Sequence, residues 1–485
     1  MPDQAFDSAM ALAAAIRDRR VGCVELLDLY LARVERYNPA LNAIVVLDAE
    51  RARDRAASLD AALSRGEVLG PLHGVPMTVK ESFDIAGLPT TWGVPWLNDN
   101  VAGANALAVD RLLAAGAVIF GKSNVPYMLA DWQSFNEIYG TTNNPWDVAL
   151  SPGGSSGGAA AALAAGITGL EVGSDIGASI RNPAHFCGVF GHKPSYGIAS
   201  TRGHALPGSI TPADISVIGP LARSTADLEL TLDLITAPDP FDAPGWRLEL
   251  PAEERRSFSD FKVAVMLSHP VSEVDGELVD LLQALVDRIG AAGATVDDTA
   301  RPDIDMARAH DNYVTLLRAA TSGRQTDEEF AANREKAQSL PADDESYYAQ
   351  MVRGNTLPHR DWLAAREERS HFRLRWAEFF EDYDLLLCPA AASAARPHDQ
   401  EGERYERTIE VNGRQVPTTD QLFWAGLSCS VYLPSTVVPA GLTRSGLPGG
   451  LQIVAPFLRD RSCLAFGALI EEAFGGFVPP KGYDG

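Results

Sequence analysis

The chain is poor in cysteine and in lysine, and free of long apolar runs. Its five cysteines, Cys23, Cys187, Cys388, Cys429 and Cys463, lie far apart, are odd in number and show no CxxC spacing. That excludes a disulfide framework and a cysteine-built zinc site, and reduced thiols in a cytoplasmic protein are the expectation. No apolar stretch approaches ~18 residues, so no membrane span is expected. Basic clusters are missing too: 64 acidic side chains face 41 Lys plus Arg, for a formal charge of -23. So acidic a surface repels phosphate backbones and anionic lipid, which excludes nucleic acid and membranes as expected partners. The nine histidines never pair at metal-ligand spacing and HExxH is absent, so no metal site is read. The N-terminus lacks the basic start and strong apolar run of a signal peptide.

What is present is a large core. Of 485 residues, 46% are hydrophobic, enough to exclude intrinsic disorder. A length prior of ~150 residues per domain suggests about three domains. Residues 5–65 read as amphipathic helices. From about 70 to 230 the chain turns to short apolar strands, glycines and small-residue helices. FKVAVML (261–267), DYDLLLCPA (382–390), SVYLPSTVVPAG and GLPGGLQIVAP read as further strands. The stretch 302–382 reads as a polar helical excursion, and CLAFGALIEEAFG as a closing helix. Alternating helices and apolar strands indicate an α/β or mixed-sheet architecture.

Two motifs mislead. Gly116 to Ser123 fits GxxxxGK[ST], but its variable positions, AVIF, are themselves strand-like and Asn-Val-Pro follows instead of a helix, so a phosphate loop is rejected. Gly153-Gly-Ser155-Ser-Gly157 fits GxSxG, yet the preceding NNPWDVALSP is turn-like where a nucleophile elbow needs a strand. An esterase of α/β-hydrolase type with Ser155 as nucleophile, and Asp384 and His398 as partners, stays as the alternative.

Three of only six lysines, Lys80, Lys122 and Lys193, fall in the glycine-rich region. Lys80 ends the apolar run GVPMTVK. Burial there would lower its pKa and suit it to act as a base; the plainer reading is a strand-end charge that reaches water. SPGGSSGGAAAALAAG (151–166) combines a glycine-rich turn with a small-residue helix. A helix of about nine residues carries the chain roughly 13 Å away at ~1.5 Å per residue. A strand of about five returns it about 17 Å at ~3.3 Å per residue, which lets Ser179 lie near Ser155. The loop Asp175-Ile-Gly-Ala-Ser179 is able to aim consecutive amides at one oxyanion. Taken singly, serines capping a helix and a turn are the stronger reading.

Together these segments resemble the amidase signature family: GVPMTVKES, GKSNVP, SPGGSSGGAAAALAAG, GSDIGASIRNPAHFCGVFGHKPSYG, GPLARS, YDLLLCP and GLPGGLQIVAP, in order along nearly the whole chain. The resemblance implies a single domain over 1–485, with a signature core at about 70–230 and a variable excursion at about 270–382. It also implies an α/β fold, a mixed twisted β-sheet covered by helices on both faces, which overrides the length prior. By the same resemblance Lys80 is the catalytic lysine, Ser155 the bridging serine behind a cis peptide, and Ser179 the nucleophile. Amides of Ile176, Gly177, Ala178 and Ser179 would hold the oxyanion, with Ser156, Asp175 and Arg181 supporting the loop. No cofactor is implied. Relatives commonly carry Gly-Gly-Ser where this chain has Gly177-Ala178-Ser179. If position 178 needs positive φ, alanine costs stability there.

The region 351–380 lacks the Gly-Phe-Gly and Arg-Arg pattern of tRNA-dependent amidotransferases. A free-standing hydrolase of a small-molecule amide is therefore expected, with water as co-substrate. A non-catalytic amidotransferase-like subunit is the other class kept open. Met128, Leu129 and Trp132, with Gly154 and with Phe423 and Trp424 opposite, suggest an apolar pocket for aryl or fatty amides, anilides or carbamates. A homodimer is the default oligomeric expectation.

Overall fold

The computed structural model describes residues 2–483; Met1, Asp484 and Gly485, included in the expected 1–485 domain, lie outside the described residues. The core is an eight-stranded mixed sheet. Its strands run in the order Thr295–Asp297, Lys262–Val265, Leu385–Pro389, Pro448–Val454, Ser435–Leu442, Phe190–Lys193, Val217–Ala222 and Glu171–Asp175. The two longest, Ser435–Leu442 and Pro448–Val454, pair antiparallel at its centre.

Successive side chains on a strand point to opposite faces, and the sheet uses both. Val438 and Ile453 pack against helix Asp460–Phe474, whose Gly467 lies against them. Gln452 and Gly450 turn the other way, toward Arg181 and His185 of helix Arg181–Cys187. Helices thus cover both faces, and the strands between them are nearly continuously buried, as a two-sided sheet requires.

A second, three-stranded sheet holds Lys80. Strand Pro76–Lys80 runs parallel to Val118–Ser123, which also pairs antiparallel with Ile44–Leu47. Residues 5–65 are therefore not wholly helical. The run IVVL, rich in β-branched residues, leaves helix Cys23–Leu41 through the left-handed Asn42 (φ 50°) and joins the sheet before helix Ala49–Ser64 begins. Gly121, Lys122 and Ser123 sit inside their strand, with Lys122 opposite Val79 and Ser123 opposite Lys80, so no phosphate loop forms. Lys122 donates instead to the Pro89 carbonyl and the Thr90 hydroxyl.

The stretch 302–382 is helical: Met306–Thr321, Asp327–Ser339, Tyr347–Asn355 and His359–Asp382. Its first helix reaches the centre of the molecule through buried Tyr313, Leu316 and Leu317, packed with Trp132, Ala178 and Leu422. Among the described residues no helix is long and apolar enough to cross a membrane, and all five cysteines are buried free thiols.

Candidate active site

Three segments converge at one end of the Glu171–Asp175 strand. Lys80 closes its own strand and is wholly buried. Ser155 lies in the irregular turn before helix Gly157–Ala164, a helix of small residues that packs tightly against its surroundings. That helix stops at Gly166 (φ 63°), and the chain returns along Glu171–Asp175 into the loop that carries Ser179. The return closes as the element lengths suggested: the Ser156 amide donates to the Ser179 carbonyl at 3.0 Å.

The Lys80 ammonium nitrogen lies 2.6 Å from Ser155 Oγ and 3.0 Å from Ser174 Oγ. Burial drives its pKa down, Asp175 partly offsets that, and the nearby Arg324 charge lowers it further, to about 7. A large share of Lys80 is therefore neutral near pH 7, and a neutral amine accepts a proton. The Gly154–Ser155 peptide is cis. Ser155 and Ser179 face the same cavity. Among the described residues the hydrogen-bond chain runs from Lys80 to Ser155 and is not continued to the Ser179 hydroxyl.

The loop 175–179 is held from behind. Asp175 and Arg181, both fully buried, form an ion pair at 2.9 Å. Burial alone would raise the Asp175 pKa; the Arg181 charge and its hydrogen bonds overrule that and hold the carboxyl far below the usual range. Asp175 also accepts the Ala178 amide at 2.9 Å and the Ile180 amide at 3.0 Å. Ala178 is thereby removed from the expected set of oxyanion donors, its N–H being taken up by Asp175. The amides of Ile176, Gly177 and Ser179 have no acceptor among the described residues. Ala178 adopts φ 72°, the left-handed backbone that its sequence position raised as a concern. Ser156 ties the turn to the strand, its hydroxyl accepting from the Ser174 amide at 3.4 Å.

Two cavities meet at Ser179. One, of about 190 Å³, is lined by Ser155, Ser174, Trp92 and His204. The other, of about 440 Å³, is lined by Met128, Trp132, Gly177, Leu422, Arg318 and Arg404. Leu129, Ile176, Ser179 and Arg324 border both. Met128 and Trp132, expected as pocket residues, line the larger cavity, and Leu129 borders both. Phe423 and Trp424 do not: on helix Leu422–Cys429 adjacent residues point about 100° apart, so Leu422 faces the cavity. Phe423 stacks instead on His269 at 4.5 Å, and Trp424 is fully buried in the core. Gly154 is likewise no lining residue. It presses against backbone of residues 131–133, where a Cβ would come within 2.5 Å of the Asp131 carbonyl.

Ser155 has Lys80, not a histidine, as its partner, and Asp384 is engaged with Arg255 and the Lys262 amide. No strand leads into the GxSxG turn among the described residues. The hydrolase-elbow alternative fails on each count. Sequence reasoning missed Ser174, Trp92, His204 and Arg324. His204 lies 3.0 Å from Ser82 Oγ and is pushed by burial, then by the Lys80 and Arg324 charges, to a pKa of about 3. It meets the site as neutral imidazole.

Residues 25–464 match the amidase family. Indoleacetamide hydrolase of Bradyrhizobium diazoefficiens is 32% identical over 480 residues, covering 96% of this chain and 86% of that protein. A glutamyl-tRNA(Gln) amidotransferase chain of Deinococcus radiodurans is 32% identical over 488 residues, covering 96% and 97%. The crystal structure of a bacterial aryl acylamidase of the amidase signature family superposes with a TM-score of 0.82 at 25% identity, covering 97% of this chain and 96% of that one. A buried lysine–serine pair beside a second serine, on a fold matched from end to end, completes the case: the chain belongs to the amidase family.

Proposed function

We propose that the protein hydrolyses a small-molecule amide through an acyl-enzyme on Ser179, with Lys80 as base and Ser155 as proton carrier. The observation that carries this reading is the 2.6 Å contact between a buried, partly neutral Lys80 amine and Ser155 Oγ, beside a cavity-facing Ser179. Lys80 takes the Ser155 proton while Ser155 takes the Ser179 proton, and Ser179 Oγ attacks the carbonyl carbon. The amides of Ile176, Gly177 and Ser179 receive the oxyanion. Collapse breaks the C–N bond as Ser155 returns a proton to the departing nitrogen. Water, activated along the same route, then releases the acid. The Trp92, Leu129 and Ile176 wall beside Ser155 favours an aryl or apolar amine, as in an anilide. A cytoplasmic location belongs to this reading, supported by the unpaired cysteines.

An activated fluorophosphonate should label Ser179, and Lys80→Ala should prevent labelling. Labelling of Ser155 instead would overturn the assignment. Similarity to the amidotransferase chain favours a second reading, hydrolysis of glutamine to supply ammonia to a partner protein. Amide turnover by the isolated protein without glutamine speaks for the first.

A further inference from the structure

We infer that the larger cavity binds an anionic group, most simply a carboxylate, borne by the acyl half of the substrate. Three guanidiniums, Arg318, Arg324 and Arg404, line it, and none forms an ion pair among the described residues. Arg318 and Arg404 both donate to one neutral acceptor, the Tyr347 hydroxyl. Arg404 adds the Ala130 carbonyl at 2.6 Å and Arg324 the Met128 carbonyl at 2.8 Å. Arg318 Nε is buried without any partner. Part-buried cations gathered in one cavity are costly unless a counter-charge arrives.

The acids on the same wall do not supply it. Asp131 is held by Arg407 at 2.6 Å, Glu329 caps its own helix through the Thr326 amide, and Glu403 is exposed at the rim. Burial lowers the Arg318, Arg324 and Arg404 pKa values, and at Arg404 the nearby Asp131 and Glu403 offset that only in part.

Assignment to the acyl half rests on the proposed roles of Ser155 and Ser179. Ser155, which serves the departing nitrogen, borders the smaller cavity and not the larger one. The amine therefore occupies the first and the acyl chain the second.

Three substrates test this: glutaric acid monoanilide, its neutral isostere 5-methylhexananilide, and the 4-carboxyanilide of 5-methylhexanoic acid. The unmodified protein should favour the first over both others by at least about tenfold in kcat/KM, the worth of a charged hydrogen bond. Arg318→Gln and Arg404→Gln, each checked for folding by its melting temperature, should erase that preference mainly through KM. Equal rates on the three, or equal losses on all of them in the variants, would overturn the inference. If no amide is cleaved, the amidase reading fails on its own. The cavity is then judged by calorimetry with glutarate on the Ser179→Ala protein: binding weakened by Arg404→Gln upholds the site, and no binding refutes it.

Discussion

The Tyr313 hydroxyl donates to the Ile176 carbonyl at 2.9 Å. A peptide group is planar and its C=O and N–H point in opposite directions, so this bond from behind aims the Gly177 N–H into the cavity. Trp132 Nε1 does the same to the next peptide by donating to the Gly177 carbonyl at 2.6 Å, which sends the Ala178 N–H to Asp175. Tyr313 is a positioning residue: Tyr313→Phe should lower kcat about tenfold, a fraction of the loss from deleting an oxyanion donor. KM should change far less, and the rate of Ser179 labelling should fall with kcat. Steady-state kinetics on one anilide measures the split, and a pure KM effect would argue against the role.

The Lys80 pKa sets the pH dependence. With Lys80 as the proposed base, catalysis needs the neutral amine, so kcat/KM should rise with pH through about 7 and level off above it. Moving the Arg324 charge away should shift that limb upward, because Arg324 helps hold Lys80 down. A pH–rate profile of Arg324→Gln checks the sign; a limb moved toward acid contradicts it.

Asp175 and Arg181 depend on each other. Arg181 also donates to Gln452 at 2.6 Å and to Ser428 at 2.9 Å, joining the loop to the central sheet. Asp175→Asn leaves a buried guanidinium without its counter-charge and should destabilise the fold by about 3–5 kcal/mol. Urea unfolding followed by tryptophan fluorescence reads it directly.

Ala178 holds its position at the cost of a strained backbone. Left-handed φ costs an L-residue about 1–2 kcal/mol, while removing its buried methyl loses ~0.8 kcal/mol. Ala178→Gly should therefore stabilise the protein by up to about 1 kcal/mol in the same denaturation experiment.

Much of this was readable from the residues, and the misses share a cause. The approach of Ser155 to Ser179 followed from the lengths of one helix and one strand, because local geometry fixes it. The failure of Gly116–Ser123 as a phosphate loop followed from AVIF, strand-forming residues where a phosphate loop needs a turn. Helix phase was not readable: one residue separates Leu422, which faces the cavity, from Phe423, which does not. Nor were Arg324 and His204, single residues with no motif around them, brought to the site by long-range packing. The Ala178 amide looked like a donor until Asp175 was seen to consume it. Such pairing depends on loop conformation, which spacing leaves open.

The two cavities that share Ser179 order the events of a turnover. On the proposed acyl-Ser179 route, the space the amine leaves lies beside the ester while the acyl chain still fills the other cavity. Incoming water must travel through the space the first product vacated. A second amine of similar shape would use the same route, so at high concentration it should intercept the ester and return a new amide, making the hydrolase a transacylase.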